Sequence, residues 1–281
     1  MPLLVKRTFR NMVIHAGIVL VLSYLVILLF VYLRQDRMLY FPARDLWQVP
    51  SDRGIAYEDL SLTTRDGLRI SAWYLPAPHE RGVLLFCHGN AGNMADRMDS
   101  LMIFHDLDLS VLIFDYRGYG KSGGKPSESG TYRDAEAAWD YLMRVKQIPP
   151  HRIVIFGRSL GGAVAAELAR EKNPAALIIE STFLSVPDLG ARLYPWLPVR
   201  LLSKFRYATV DKIGSISCPK LVIHSPDDEI IPFDQGRTLY EKSSPPKEFL
   251  MIRGGHNEGF LISGSLYRNG LKAFLEKWLN R

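Results

Sequence analysis

Residues 157–161 read Gly-Arg-Ser-Leu-Gly, a G-x-S-x-G run. A serine hydroxyl becomes a useful nucleophile only where a base can take its proton and where the backbone holds it clear of its neighbours. Four apolar residues, Ile153–Phe156, precede the run and suit a strand buried on both faces. Ala163, Val164, Ala165, Ala166 and Leu168 follow it and suit a helix. A strand turning sharply into a helix puts Ser159 at the apex, and glycines two positions away on either side remove side chains that would clash there. The new helix N-terminus favours negative charge at that point. The chemistry this supports is attack on an acyl carbon.

Such a serine needs a base, an orienting carboxylate and donors for the oxyanion. In strand–turn–helix nucleophiles of this kind the acid and then the histidine follow the serine in the chain. Only His224 and His256 lie beyond Ser159. His224 ends a strand and precedes every acid after that strand, so it fits poorly. His256 sits in Gly254-Gly255-His256-Asn257, just after the last strand, and is the candidate base. The acid falls in Ser225-Pro226-Asp227-Asp228-Glu229, where spacing leaves Asp227 and Asp228 both open. The strand 82–88 ends in His88-Gly89-Asn90; the backbone N–H groups of Asn90 and Leu160 are the expected oxyanion donors, each worth about 3 kcal/mol in the transition state.

These residues need a scaffold, and the chain supplies one. Its 281 residues, 47% hydrophobic and 23% charged, suit a globular protein with a real core. Strands are expected over 55–63, 68–75, 82–88, 111–116, 175–179, 221–224 and 248–252, with helices over 131–146, 235–242 and 266–279. Leu271, Phe274, Leu275 and Trp278 mark the face of the last helix that meets the sheet. Alternating strands and helices imply an α/β fold with a mostly parallel sheet covered on both sides. Residues 191–210, around Tyr194-Pro-Trp-Leu-Pro198, interrupt the rhythm as an insertion over the C-terminal ends of the strands, where ligands bind. Its Arg192, Arg200, Lys204 and Arg206 lack acidic neighbours within the segment, so its charges are either solvated or placed to meet anionic headgroups.

Met12–Leu33 is a run of 22 residues without Asp, Glu, Lys or Arg, long enough to span a bilayer. It reads as an uncleaved anchor, with Tyr40, Phe41 and Trp47 as interfacial aromatics beyond it. Three basic residues on each side leave orientation nearly balanced; the reading adopted is a short tail inside and the domain outside. The +6 formal charge is diffuse and no nucleic-acid signature accompanies it. Gly118–Gly123 matches G-x-G-x-x-G after a strand, but Lys125 and Pro126 follow where a helix should open, so no nucleotide site is expected. Cys87 and Cys218 form no C-x-x-C and read as buried thiols. No H-E-x-x-H is present.

Taken together, these motifs resemble the α/β-hydrolase superfamily over about residues 50–281, and more narrowly its membrane-anchored α/β-hydrolase-domain group. The resemblance rests on Tyr40-Phe41-Pro42, His88–Asn93 (H-G-N-A-G-N), Asp115–Ser122 (D-Y-R-G-Y-G-K-S), Gly157–Gly162 and His224–Ile231. Aligning that last turn with the group's H-G-x-x-D-x-x-[IV] places its acid on Asp228; Ser225 replaces the glycine. The organisation implied is a tail (1–11), an anchor (12–33), a linker (34–49) and a hydrolase domain (50–281) with a cap insertion at about 182–216. The activity implied is hydrolysis of acyl esters or thioesters by Ser159, Asp228 and His256, with no cofactor and no metal. The substrate would be a small-molecule or lipid acyl group, or an acylated protein. The alternatives are a peptidase or amidase using the same triad, and a catalytically silent binding module.

Overall fold

The computed structural model describes residues 2–279; Met1, Asn280 and Arg281, the outer limits of the expected tail and domain, lie outside the described residues. Helix α1 (Pro2–Leu39) leads into β1 (Phe41–Pro42), then β2 (Glu58–Thr63), β3 (Arg69–Leu75), β4 (Gly82–Cys87) and β5 (Ala91–Gly92). Helix α2 (Met98–His105), β6 (Leu109–Phe114), α3 (Glu128–Arg144), β7 (Ile153–Arg158), α4 (Leu160–Lys172) and β8 (Ala176–Glu180) follow. Three short cap helices, α5 (Val186–Leu193), α6 (Val199–Leu202) and α7 (Thr209–Lys212), precede β9 (Lys220–His224). Helix α8 (Phe233–Lys242), β10 (Lys247–Met251), α9 (Gly259–Ile262) and α10 (Gly264–Leu279) complete the chain.

Eight strands form one sheet in the order β10-β9-β8-β7-β4-β6-β3-β2. All pairs are parallel except β2–β3 and β3–β6. Both faces are covered, so the inner strands are continuous apolar runs, and residue parity decides which face each side chain meets. Val83, Leu85 and Cys87 of β4 pack with Ile153 and Ile155 of β7 in the core under α3 and α4. Leu84, Phe86, Val154 and Phe156 point into the opposite core, with α2 and α10. The expected face of α10 is there: Leu271, Phe274 and Leu275 are buried and Trp278 packs against them. Helix α2 supplies Leu101 and Phe104 to the same core.

Both thiols are buried, Cys87 fully at the end of β4 and Cys218, at 5% exposure, two residues before β9. Burial raises both thiol pKa values, that of Cys218 to about 11. Neither holds much thiolate at pH 8, so neither is expected to react with a water-soluble thiol reagent until the protein is unfolded. Native-state labelling of either thiol would contradict this packing.

Two expectations change at the N-terminal end. Helix α1 does not stop at residue 33 but runs to Leu39, and the stretch after it is no free linker. Strand β1 pairs with β5, Phe41 with Ala91 and Pro42 with Gly92, and Ala43 accepts from the N–H of Gly120. Tyr40 is no interfacial aromatic: it is 5% exposed, its hydroxyl 2.8 Å from that of Tyr207, which in turn lies 2.8 Å from Thr131 Oγ1. That chain of hydroxyls satisfies a phenol that burial would otherwise penalise. Phe41 and Trp47 remain exposed. The loop 118–123 also closes on itself, Gly118 N–H to Gly123 carbonyl at 2.8 Å, with Ser122 Oγ bonded to Asp115 and Ser71, which leaves no phosphate cradle.

Candidate active site

Parallel pairing carries β4, β7, β9 and β10 to one edge of the sheet. The register sets Cys87 beside Gly157, Arg158 beside Glu180 and His224 beside Met251. The loops leaving those ends carry Asn90, Ser159, Asp228 and His256. Four segments distant in sequence therefore converge because their strands share a direction.

Ser159 sits between β7 and α4 at φ 56° and ψ −122°, a strained conformation for a residue with a side chain. Its N–H is held by Glu180 O at 2.9 Å and its own carbonyl accepts from Gly162 N–H at 3.0 Å. The flanking glycines are required by contact with backbone: a Cβ on Gly157 would lie 2.2 Å from the Gly161 carbonyl oxygen, and one on Gly161 2.0 Å from that of Cys87. His256 Nε2 lies 3.1 Å from Ser159 Oγ, and His256 Nδ1 lies 2.9 Å from Asp228 Oδ2. All three side chains are almost fully buried.

Of the two acids left open by spacing, Asp228 faces the histidine. Its Oδ1 accepts from the N–H groups of Ile230 and Ile231 at 3.0 and 2.8 Å, which fixes the carboxylate plane. Burial alone would raise its pKa, but hydrogen bonds from His224 and His256 and the charge of His256 outweigh that and hold it well below the ordinary carboxylate range. Asp227 is exposed, its Oδ2 taking the Gly254 N–H at 3.2 Å. His224, set aside as a base, has a place the sequence did not reveal. It donates from Nε2 to the Ile231 carbonyl at 2.9 Å and lies 3.4 Å from Asp228 Oδ2.

Asn90 is held on three sides. Its carbonyl accepts from Phe41 N–H at 3.0 Å and from Tyr119 Oη at 2.7 Å, and its side-chain amide donates to the Leu39 carbonyl at 2.9 Å. The side chain braces the loop, while the N–H of Leu160, first residue of α4, has no carbonyl within the helix to bond. Behind the serine, Arg158 Nε pairs with Glu180 at 2.7 Å and Tyr267 donates to the other Glu180 oxygen at 2.6 Å.

The site opens into a cavity of about 510 Å³. One wall is Ser159, His256, Asn90, Arg97 and Arg158; another is the cap, with Leu189, Leu193, Leu197 and Phe205. Unexpectedly, the third is α1 itself, through Val31, Gln35, Met38 and Leu39. Helix and cap are joined by Tyr24 Oη to Trp196 O (2.9 Å), Gln35 Nε2 to Leu202 O (2.8 Å) and Lys204 N–H to Gln35 Oε1 (2.8 Å). The cap's basic side chains are not all free, as the sequence suggested. Arg192 pairs with Asp234, Arg200 with Asp188, and Lys204 Nζ lies 4.0 Å over the Tyr32 ring. Their partners lie outside residues 191–210, where inspection of the segment alone does not find them.

A serine at a strand–helix elbow, on a mostly parallel sheet with helices on both faces, defines the α/β-hydrolase class of proteins. The chain belongs to the α/β-hydrolase superfamily. It is 39% identical over 256 residues to an uncharacterized protein of Mycobacterium tuberculosis, covering 89% of this chain and 90% of that one. It is 35% identical over 272 residues to the alpha/beta hydrolase domain-containing protein WAV2 of Arabidopsis thaliana, covering 87% and 88%. The family model described as serine aminopeptidase, S33, matches residues 78–211. Among solved structures, an esterase of Pyrococcus furiosus shares the fold with a TM-score of 0.72 at 21% identity, over 86% of this chain and 98% of its own. The chain is thus a hydrolase of this superfamily.

Proposed function

We propose that the protein is a membrane-anchored serine hydrolase that cleaves carboxylic esters or thioesters of acyl groups through an acyl-enzyme. The observation that carries the reading is the relay from Ser159 through His256 to Asp228, with hydrogen-bond separations of 3.1 and 2.9 Å. An ionised carboxylate only accepts, so Nδ1 of His256 carries the proton and Nε2 is left to accept from the serine hydroxyl. Ser159 Oγ attacks the acyl carbon as its proton passes to Nε2. The N–H groups of Asn90 and Leu160 receive the oxyanion, and the leaving oxygen or sulfur takes the proton from His256 as its bond to the acyl carbon breaks. Water then repeats the sequence on the acyl-enzyme, releasing the acid and restoring Ser159. Because the most apolar 18-residue stretch of α1 has a mean hydropathy of 2.7 and none of it is buried, α1 serves as the anchor. Exposed Leu193, Tyr194, Trp196 and Leu201 lie on the cap beside it, and the bond from Tyr24, midway along residues 12–33, to Trp196 would draw that part of the cap into the apolar layer.

The family match favours one other reading, an aminopeptidase. Such an enzyme must hold a substrate ammonium group, and a carboxylate in the pocket would do so. The cavity here is lined by two arginines and no Asp or Glu, which argues for the ester reading. The deciding experiment is a panel of long-chain acyl esters, acyl thioesters and aminoacyl amides offered to the full-length protein in detergent, with Ser159→Ala as control. Turnover of esters or thioesters, absent in the control, is the expected result; turnover confined to aminoacyl amides would transfer the chain to the peptidase reading. Resistance of the protein to carbonate extraction from membranes checks the anchor.

A further inference from the structure

Helix α1 carries its own depth scale. Lys6, Arg7 and Arg10 stand before residues 12–33, and Arg34, Asp36 and Arg37 stand after them. With that run in the hydrocarbon core, the boundary facing the domain falls near Leu33. The domain grips the helix on both sides of this boundary. Leu28, Val31, Gln35 and Leu39 are half-buried, three or four residues apart, which is one face of a helix. On the polar side, Asn90 Nδ2 holds the Leu39 carbonyl, and Asn90 lines the cavity together with Ser159. On the apolar side, Tyr24 Oη holds the Trp196 carbonyl, about 14 Å below Leu33 along a helix that rises 1.5 Å per residue.

The cap has the surface for that depth. Residues 193–198, Leu-Tyr-Pro-Trp-Leu-Pro, carry no charge. Leu193, Tyr194 and Trp196 are exposed, and Leu201 is 84% exposed. Large apolar side chains held out on one short segment are costly in water, and a hydrocarbon layer removes the cost. The flanking charges are met: Arg192 pairs with Asp234 at 2.7 Å and Arg200 with Asp188 at 3.1 Å. Lys204 lies over the ring of Tyr32, beside the boundary where a lysine reaches headgroups. Leu193 and Tyr194 also line the cavity, as does Leu197, which is buried. The cavity therefore runs from an apolar rim at hydrocarbon depth to a serine at the polar boundary. A leaflet lipid has the same layout, with its ester at that boundary and its acyl chain in the hydrocarbon.

We propose that the cap tip lies within the near leaflet, and that the cavity takes the acyl chain of a leaflet-resident lipid ester sideways, between α1 and the cap, while the lipid stays in the membrane. This rests on the anchor reading for its geometry and on the ester-hydrolase reading for its chemistry, and it narrows the substrate to one class.

The test uses the full-length Ser159→Ala protein in phosphatidylcholine vesicles containing a phosphatidylcholine with a photoreactive diazirine on one acyl chain. Labelled positions are read by peptide mass spectrometry. Labelling of residues 12–23 reports insertion of α1. Labelling of Leu197 reports a chain inside the cavity, because burial hides that side chain from lipid outside. Both are expected. Trp196→Glu combined with Leu201→Glu alters exposed side chains and leaves the Trp196 carbonyl to Tyr24. A charge in hydrocarbon is costly, so this pair should lower Leu197 labelling at least ~10-fold relative to residues 12–23. Labelling of residues 12–23 with none at Leu197 would overturn the proposal, and so would Leu197 labelling that the double substitution leaves unchanged. Absence of label from residues 12–23 would remove the anchor and the proposal with it. Turnover of vesicle-resident 1-oleoylglycerol by the Ser159-intact protein is read separately: Leu197 labelling without turnover supports the chain route and overturns the hydrolase chemistry.

Discussion

Ser159→Ala is expected to abolish labelling by a fluorophosphonate probe and to lower kcat by roughly 10⁶-fold, the scale of losing the nucleophile of such a triad. The size follows from the site, because among the described residues His256 Nε2 is hydrogen-bonded to no hydroxyl other than that of Ser159. Cys87 lies buried one strand away with its thiol pKa raised. The variant should still fold. Among the described residues the Ser159 hydroxyl is hydrogen-bonded to His256 alone, and the N–H of residue 159 keeps the Glu180 carbonyl. Activity and labelling that persist in a folded Ser159→Ala protein would remove the serine from the mechanism.

Asp228→Asn should cost about 10⁴ in rate, while Asp227→Asn keeps most activity. The asymmetry comes from the hydrogen bonds at Asp228. The N–H groups of Ile230 and Ile231 demand an oxygen at the Oδ1 position, so an asparagine would keep its oxygen there and turn its NH₂ toward His256 Nδ1. Nδ1 must then accept, the proton moves to Nε2, and Nε2 can no longer take the hydrogen of Ser159. Asp227 makes no such contact. Stability gives a second readout. The folded pKa of Asp228 is depressed, so its ionised form adds stability that is complete above about pH 4 and is lost as pH falls below that. Wild type and Asp228→Asn should therefore differ in stability at neutral pH and converge on acidification. Equal crippling by the two asparagine substitutions would show that the turn, rather than one carboxylate, is what matters.

Much of this site can be read from the chain itself, and the reason is local. A strand–serine–helix turn needs glycine at 157 and 161 because backbone approaches within clashing distance, and that need is written in five adjacent residues. His256 follows the last strand in the only loop that both topology and chain order leave free. The choice between Asp227 and Asp228 is different. Both occupy one short turn, and only its curl, which aims the amides of Ile230 and Ile231 at one carboxylate, separates them. Pairings across long sequence distances were hidden altogether. Nothing near Arg192 announces Asp234, nothing near Lys204 announces Tyr32, and Tyr40 reads as a boundary aromatic until Tyr207, 167 positions later, meets its hydroxyl.

The seating of α1 has a consequence for how such an enzyme would meet its substrate. The helix does not hang from the domain by a flexible strap; it is bonded to the cap at Trp196 and Leu202 and to the oxyanion loop at Asn90. If α1 spans a bilayer, Ser159 rides at a fixed height above one leaflet and can neither swing to an apposed membrane nor reach far into the aqueous phase. Turnover would then follow the mole fraction of substrate in that leaflet, and diluting the leaflet with inert lipid would slow the enzyme even at constant bulk concentration. Proteolytic release before residue 40 would not yield a freely diffusing version of the same catalyst, because it would take one wall of the cavity with it.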